Sequence, residues 1–277
     1  MTHILDDYIS TSSASVIGVL NITPDSFTDG GMYASYDDAV RHARRLITEG
    51  ADILDIGGES TAPGSRPIDA DSELARVREV VATLGGEFPL SIDTYRSATA
   101  ARCLELGAKV INDVSALRAD PDLAAVVREH RALLIMMHAK DGPLPHASDT
   151  PRYYDNLILE IGDFLQRRVD YALAAGIAED YLVVDPGWGR FISLDPADTW
   201  QLLAAFEGLV QRLQPIPVMV STSRKGFLSV PMEERDPLSQ LTSLVGVMRG
   251  ARLIRTHRPR MARQFLDAAE HMRLFDR

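Results

Sequence analysis

The sequence predicts an α/β protein folded as a single (β/α)8 barrel of the TIM type, with long mobile loops after strands 1, 2 and 5. Three observations predict it. Short β-branched apolar runs alternate with longer amphipathic stretches eight times along 277 residues, a length that one such barrel fills. The runs are continuously apolar, as strands buried on both faces are. The first turn, from Asn21 to Phe27, reads Asn-Ile-Thr-Pro-Asp-Ser-Phe and lacks the glycine-rich fingerprint of a doubly wound dinucleotide-binding sheet. No break in composition divides the chain, so one domain over residues 1–277 is expected.

Taken in order, the first run is Ser15–Leu20, followed by a helical pattern over Asp37–Glu49 that Gly50 closes. Asp52–Ile56 precedes a helix over Asp71–Leu84 with acids in its first turn, where they complement the helix dipole. Pro89–Asp93 leads to a helix over Ser97–Leu106, stopped by Gly107, and Lys109–Val114 to one starting near Pro121. Ala132–His138 precedes a long helix within Tyr154–Ala175, stopped by Gly176. Tyr181–Asp185 leads to a helix over Asp198–Leu213, Pro217–Ser221 to one near Pro237–Gly250, and Arg252–Thr256 to a last one from Pro259. Gly50, Gly107 and Gly176 each sit just past a helical pattern, where a positive φ is wanted.

Composition narrows the function classes. The chain is 45% hydrophobic and 25% charged with a net charge of −10, which disfavours sequence-independent binding to nucleic acid or to anionic membranes. Cys103 is the single cysteine, so neither an internal disulfide nor a cysteine-based zinc site is available. The acidic N-terminus MTHILDDYIS has no basic apolar leader, and no run reaches the roughly 18 apolar residues a membrane helix needs. A soluble, cytoplasmic protein is expected.

Connections Ile22–Tyr36, Gly57–Ala70 and Ala139–Arg152 are too long for plain turns, and all three follow strands. In a barrel they lie at the C-terminal rim, where long loops carry function. Polar residues end the apolar runs: Asn21, Asp55, Asp93, Asn112 with Asp113, His138, Asp185, Ser223-Arg224-Lys225, and Arg255 with His257. Barrel closure brings all eight ends to one rim. Asp93, Asn112 and Asp185 are compact hydrogen-bonding groups, and a carboxylate matches the amine and ring N–H of a 2-aminopyrimidinone edge. Lys225, Arg255 and His257 follow strands seven and eight, the usual phosphate site of a barrel. No HExxH, Walker or EF-hand pattern occurs, and Ser60 and Ser223 lack an activating pattern. The predicted pocket holds a flat polar heterocycle beside a phosphate-like anion.

These residues resemble the dihydropteroate synthase family. The similarity is carried by Asn21-Ile-Thr-Pro-Asp-Ser-Phe-Thr-Asp-Gly-Gly31 and by Asp52-Ile-Leu-Asp-Ile-Gly-Gly-Glu-Ser-Thr61 with Pro63 and Gly64. Ser91-Ile-Asp-Thr94, Ile111-Asn-Asp-Val114, Met137-His138, Asp185-Pro-Gly187, Ser223-Arg-Lys225 and Arg255-Thr-His257 complete it, over about residues 16–257. The resemblance implies displacement of pyrophosphate from 6-hydroxymethyl-7,8-dihydropterin pyrophosphate by the amine of p-aminobenzoate, giving 7,8-dihydropteroate for folate synthesis. It also implies Mg2+ as cofactor and a homodimer formed through helices of the C-terminal half.

Carried over residue by residue, the resemblance assigns pterin binding to Asp93, Asn112, Asp185 and Lys225. It assigns pyrophosphate to Asn21, Thr61, Arg255 and His257, with Asn21 also at the Mg2+. Phe27, Thr61, Ser223 and Lys225 fall at the p-aminobenzoate site, and Asp29, Lys225 and Arg255 take the catalytic positions. The chain departs from the family pattern at Ala62, where most members have an arginine that Arg66 could replace. It departs again in Trp188-Gly-Arg-Phe-Ile192, at Gly226 and at Arg258-Pro259, and mildly in Met136-Met137-His138-Ala139. The segments around Asp185, Val220–Leu228 and Ile254–Pro259 are more similar to the sulfonamide-resistant branch, which implies weak sulfonamide binding. A methyltetrahydrofolate–corrinoid methyltransferase and a non-catalytic pterin-binding paralogue are the alternatives. The first lacks any use for the cations after strands seven and eight.

Overall fold

Eight parallel strands follow one another around a barrel in the computed structural model, which describes residues 13–23, 36–60, 65–140, 142 and 151–275. The first half runs β1 (Ser15–Asn21), α1 (Tyr36–Thr48), β2 (Ile53–Gly57), α2 (Ala70–Leu84), β3 (Leu90–Asp93), α3 (Ser97–Glu105), β4 (Val110–Asp113), α4 (Leu123–His130). The second runs β5 (Leu133–Met137), α5 (Leu157–Ala174), β6 (Leu182–Asp185), α6 (Pro196–Ala204), α7 (Phe206–Leu213), β7 (Met219–Val220), α8 (Arg235–Met248), β8 (Leu253–Thr256), α9 (Pro259–His271). The sheet order is β6-β5-β4-β3-β2-β1-β8-β7, and a parallel bridge from Val184 to Val218 closes the seam.

Each strand alternates sides with period two. Ile17, Ile53, Val110, Leu133, Ile135, Val183, Met219 and Leu253 pack against one another inside the barrel. Their sequence neighbours, such as Leu54, Ile111, Leu134, Val184 and Ile254, pack outward with the helices. Both faces of the sheet are therefore dry, which is why the strands read as unbroken apolar runs. Gly50, Gly107 and Gly176 take φ of 96°, 107° and 86° just beyond α1, α3 and α5, as their positions in the sequence predict.

Most boundaries shift by one or two residues, and three changes bear on the site or the core. The second strand starts at Ile53 and runs one residue past the expected Ile56, to Gly57, because Asn21 of β1 supplies a partner for Gly57. The seventh strand shrinks to Met219–Val220. The helix expected over Asp198–Leu213 starts earlier, with Asp195 capping the Ala197 N–H at 2.9 Å, and divides at Ala205 into α6 and α7. The division puts Phe206 in the core beside Trp188, with ring centroids 5.6 Å apart. Residues 24–35, 61–64, 141 and 143–150 lie outside the described residues, and with them much of the three long connections. Among the described residues no helix is long and apolar enough to cross a membrane.

Two of the polar strand-end residues turn away from the barrel mouth. Asp113 follows the inward Asn112 and so faces outward, where its carboxylate accepts the N–H groups of Ser115 at 2.8 Å and Leu117 at 2.5 Å. It thereby pins a turn whose Ala116 and Leu117 have positive φ. His138 follows the inward Met137 and packs edge-on against Phe164 of α5, its Nδ1 bonded to the Pro186 carbonyl at 3.1 Å. Both are structural residues, a correction to the reading that all eight strand ends line one pocket. Asp113→Ala strands two buried N–H donors, so it is expected to lower stability by about 2–4 kcal/mol. A denaturant titration within about 0.5 kcal/mol of the wild type would contradict that role.

Candidate active site

At the C-terminal mouth the inward register continues as polar residues: Asn21 on β1, Asp55 on β2, Ser91 and Asp93 on β3, Asn112 on β4, Asp185 on β6 and Arg255 on β8. Each lies an even number of residues beyond an inward apolar or small side chain, so the period that fills the barrel also lines the pocket. An added Cβ on Gly57 would meet Asn21 Oδ1 at 3.5 Å and Asp93 Cβ at 3.6 Å, which places those two side chains on either side of Gly57.

The floor is a charge-paired network. Asp55 accepts the Ser91 hydroxyl at 2.6 Å on one oxygen, and Asn112 Nδ2 at 3.1 Å and Arg255 Nε at 2.6 Å on the other. Arg255 Nη2 donates to Asp93 at 2.8 Å. Burial opposes the Arg255 charge, but Asp55 and Asp93 outweigh it and hold its pKa above the ordinary value. Burial pushes Asp93 up to about 7 against the pull of Arg255, with Asp55 adding to the rise. Burial also raises Asp185, whose oxygens accept the Gly187 N–H at 2.8 Å and the Ser221 hydroxyl at 2.6 Å.

On the β7–β8 side, Lys225 reaches the mouth with its ammonium 4.6 Å from the centroid of the Phe191 ring. Burial and then Arg255 bring its pKa down to about 8, while Asp185 and Asp93 act in the other direction. Ser223 Oγ accepts the His257 backbone N–H at 3.2 Å and is hydrogen-bonded to His257 Nδ1 at 2.8 Å. Burial, with Arg224 next, pushes His257 down to about 3, so its imidazole is neutral near pH 7. The neighbouring arginines are engaged elsewhere: Arg224 makes two hydrogen bonds to Asp236, at 2.7 and 3.1 Å, and Arg258 binds the same carboxylate at 2.6 Å. Burial would raise Asp236, yet these two hold it down to about 2.

Of the residues singled out from the sequence, Asn21, Asp93, Asn112, Asp185, Ser223, Lys225, Arg255 and His257 come together here. Phe27, Asp29, Thr61 and Ala62 lie outside the described residues. Ser91, Ser221 and Phe191 were missed. The two serines had a signal, since Ser91 within β3 and Ser221 directly after β7 stand in the inward register, where only a pocket or a buried partner has use for a hydroxyl. Chemically, the mouth offers hydrogen-bond acceptors on one side and protonated nitrogen donors on the other, over a floor whose charges are paired.

A family model described as "Pterin binding enzyme" matches residues 17–257. The dihydropteroate synthase of Bacillus subtilis (strain 168) is 36% identical over 249 residues, 87% of this chain and 82% of that protein. A crystal structure of Xanthomonas albilineans dihydropteroate synthase with 4-aminobenzoic acid superposes with a TM-score of 0.85 at 36% identity, covering 95% of this chain and 94% of that one. The same enzyme in complex with 7,8-dihydropteroate gives a TM-score of 0.83 at 34% identity, over 96% and 95% of the two chains.

Proposed function

We propose that this chain, which belongs to the pterin-binding enzyme family, is a dihydropteroate synthase. The observation that carries the reading is the row of inward acceptors, Asp93, Asn112 and Asp185, set beside Lys225 and Arg255 in one barrel mouth. A 2-amino-4-oxo pterin presents an amine and a ring N–H that such acceptors satisfy, and its pyrophosphate arm needs the cations.

In this reading Asp185, Asp93 and Asn112 orient the pterin ring and Lys225 donates to its polar edge. Arg255, whose Nε and Nη2 are tied to Asp55 and Asp93, turns its remaining nitrogen toward the pyrophosphate. With the Ser223 hydroxyl donating to Nδ1, His257 offers Nε2–H to the same group, and Asn21 and Thr61 complete its binding. The arylamine nitrogen forms a bond to the exocyclic carbon as the C–O bond to pyrophosphate breaks, and the amine proton is released to solvent. No enzyme nucleophile is required, so positioning and charge stabilisation carry the rate. Phe27 and Thr61, with Ser223 and Lys225, form the p-aminobenzoate end, and Asp29 belongs to the loop that excludes water.

Mg2+ fits this donor set. Among the described residues no group of three His, Cys, Asp or Glu side chains could cage a metal. The Asn21 amide oxygen stands at the mouth beside Asp93, and Mg2+ is commonly held by few protein oxygens together with substrate phosphates. Bound there, the ion supplies charge neutralisation to the leaving pyrophosphate.

The reading includes a cytoplasmic location and a homodimer through helices of the C-terminal half, where Trp200 on α6 and Leu241 on α8 are 43% and 48% exposed. Weak sulfonamide binding also belongs to it, on the sequence similarities around Asp185 and Val220–Leu228, and is read as inhibition in the assay that tests the function. That assay mixes the protein with dihydropterin pyrophosphate, p-aminobenzoate and Mg2+ and follows both products. Equal formation of pyrophosphate and dihydropteroate is expected; pterin binding without turnover would instead favour the non-catalytic paralogue.

The pH profile of kcat/KM, which reports the free enzyme, follows from the two groups that titrate near neutrality. Ionised Asp93 offers acceptors only and makes the charge-assisted bond, so activity falls as pH drops below about 7. Lys225 makes its charge-assisted bond only when protonated, so activity falls as pH rises above about 8. A narrow bell is expected, with limbs approaching tenfold per pH unit. A profile flat across both limits would exclude the assigned protonation states.

A further inference from the structure

We infer that Asp55 is a positioning residue of the pterin site, acting through Asn112 and Arg255 without touching the ligand itself. The inference rests on the pterin-binding reading of the barrel mouth. Asp55 lies two residues before the end of β2, faces inward and is 1% exposed. A buried carboxylate at that depth is costly unless its oxygens are satisfied, and here three donors satisfy them: Ser91 Oγ, Asn112 Nδ2 and Arg255 Nε.

The consequence lies in the polarity of the Asn112 amide. An ionised carboxylate only accepts hydrogen bonds, so Asp55 takes the NH2 of Asn112 and the amide must turn its carbonyl oxygen the other way. Among the described residues that Oδ1 has no donor, and it is not sealed from solvent. It is left as an acceptor at the mouth, alongside Asp93 and Asp185. With Asp55 replaced by a group that can both donate and accept, the Asn112 amide is free to reverse and meet a ligand N–H with its own NH2. Donor would then face donor, an arrangement that discriminates strongly.

Arg255 is governed from the same carboxylate. With Nε on Asp55 at 2.6 Å and Nη2 on Asp93 at 2.8 Å, the guanidinium plane is fixed between β2 and β3 although the residue belongs to β8. Asp55 therefore ties one acceptor for the ring to one donor for the anion, linking groups contributed by β4 and β8.

The test is a double-mutant cycle on affinity for 6-hydroxymethylpterin, a probe without the pyrophosphate arm, using Asp55→Asn, Asn112→Ala and the double variant. Asp55→Asn is expected to raise Kd about tenfold or more in the wild-type background, and by less than about threefold once Asn112 is alanine, because the amide it orients is gone. Equal factors in the two backgrounds would overturn the inference, since a general loosening of the fold acts on both alike. If Asp55→Asn does not yield folded protein, Ser91→Ala removes only the hydroxyl that steadies the same carboxylate. It is expected to show a smaller effect with the same dependence on Asn112, and equal factors there would overturn the inference too. Absence of pterin binding by the wild type would instead remove the functional reading on which the inference stands.

Discussion

Replacing Asp185 with asparagine is expected to weaken dihydropterin binding at least about tenfold, and replacing it with alanine more than about 100-fold. The carboxylate is built into the mouth by two donors of its own, the Gly187 N–H and the Ser221 hydroxyl, each occupying one oxygen and leaving further lone pairs for a ligand. Asparagine keeps the shape but turns one acceptor into a donor and removes the charge, which costs about 1.5–3 kcal/mol for a charge-assisted hydrogen bond. Alanine removes both contacts to the ring and also leaves Ser221 without its partner. Isothermal titration with a dihydropterin measures both variants, and a dissociation constant unchanged in Asp185→Asn would remove Asp185 from the pterin site. Circular dichroism of the same samples separates lost binding from lost folding.

Gly187→Ala is the second large effect, and it is expected to cost about 3 kcal/mol or more in stability as well as most of the pterin affinity. Gly187 has φ of +75°, and an added Cβ would lie 2.2 Å from the His138 carbonyl oxygen. That oxygen belongs to backbone held by its own bond, from the His138 N–H to the Asp185 carbonyl at 2.8 Å. Neither side can yield without moving the end of β5 or β6, and Asp185 moves with β6. A denaturant midpoint and a pterin dissociation constant both close to the wild type would show that the turn tolerates a side chain and does not position Asp185.

Much of the site was legible because its chemistry is written in residue type. Asp93, Asn112, Asp185, Lys225 and Arg255 end or follow apolar runs, and a closed barrel has one place to bring such ends together. Legibility failed where one residue of register decides direction. Asn112 and Asp113 are adjacent and of nearly equal size, yet one opens to the mouth and the other pins a turn outside. Met137 and His138 divide in the same way. Asp55 was counted among the rim residues, whereas its depth in β2 places it on the floor, with Arg255 and Asn112 over it.

Local sequence was enough for the (β/α)8 arrangement, the helix stops at Gly50, Gly107 and Gly176, and the collection of polar residues at one rim. Those features depend on local periodicity and on which backbone angles a residue tolerates, and both are properties of short stretches. Tertiary structure alone decided which charges remain for a ligand. Arg224 and Arg258 look as available in the sequence as Lys225 and Arg255, but Asp236 binds the first two. Arg255 is tied to Asp55, 200 positions away. A charge is neutralised by whatever lies within a few ångströms of it, and in a barrel that neighbourhood is set by strand order and register across the whole chain.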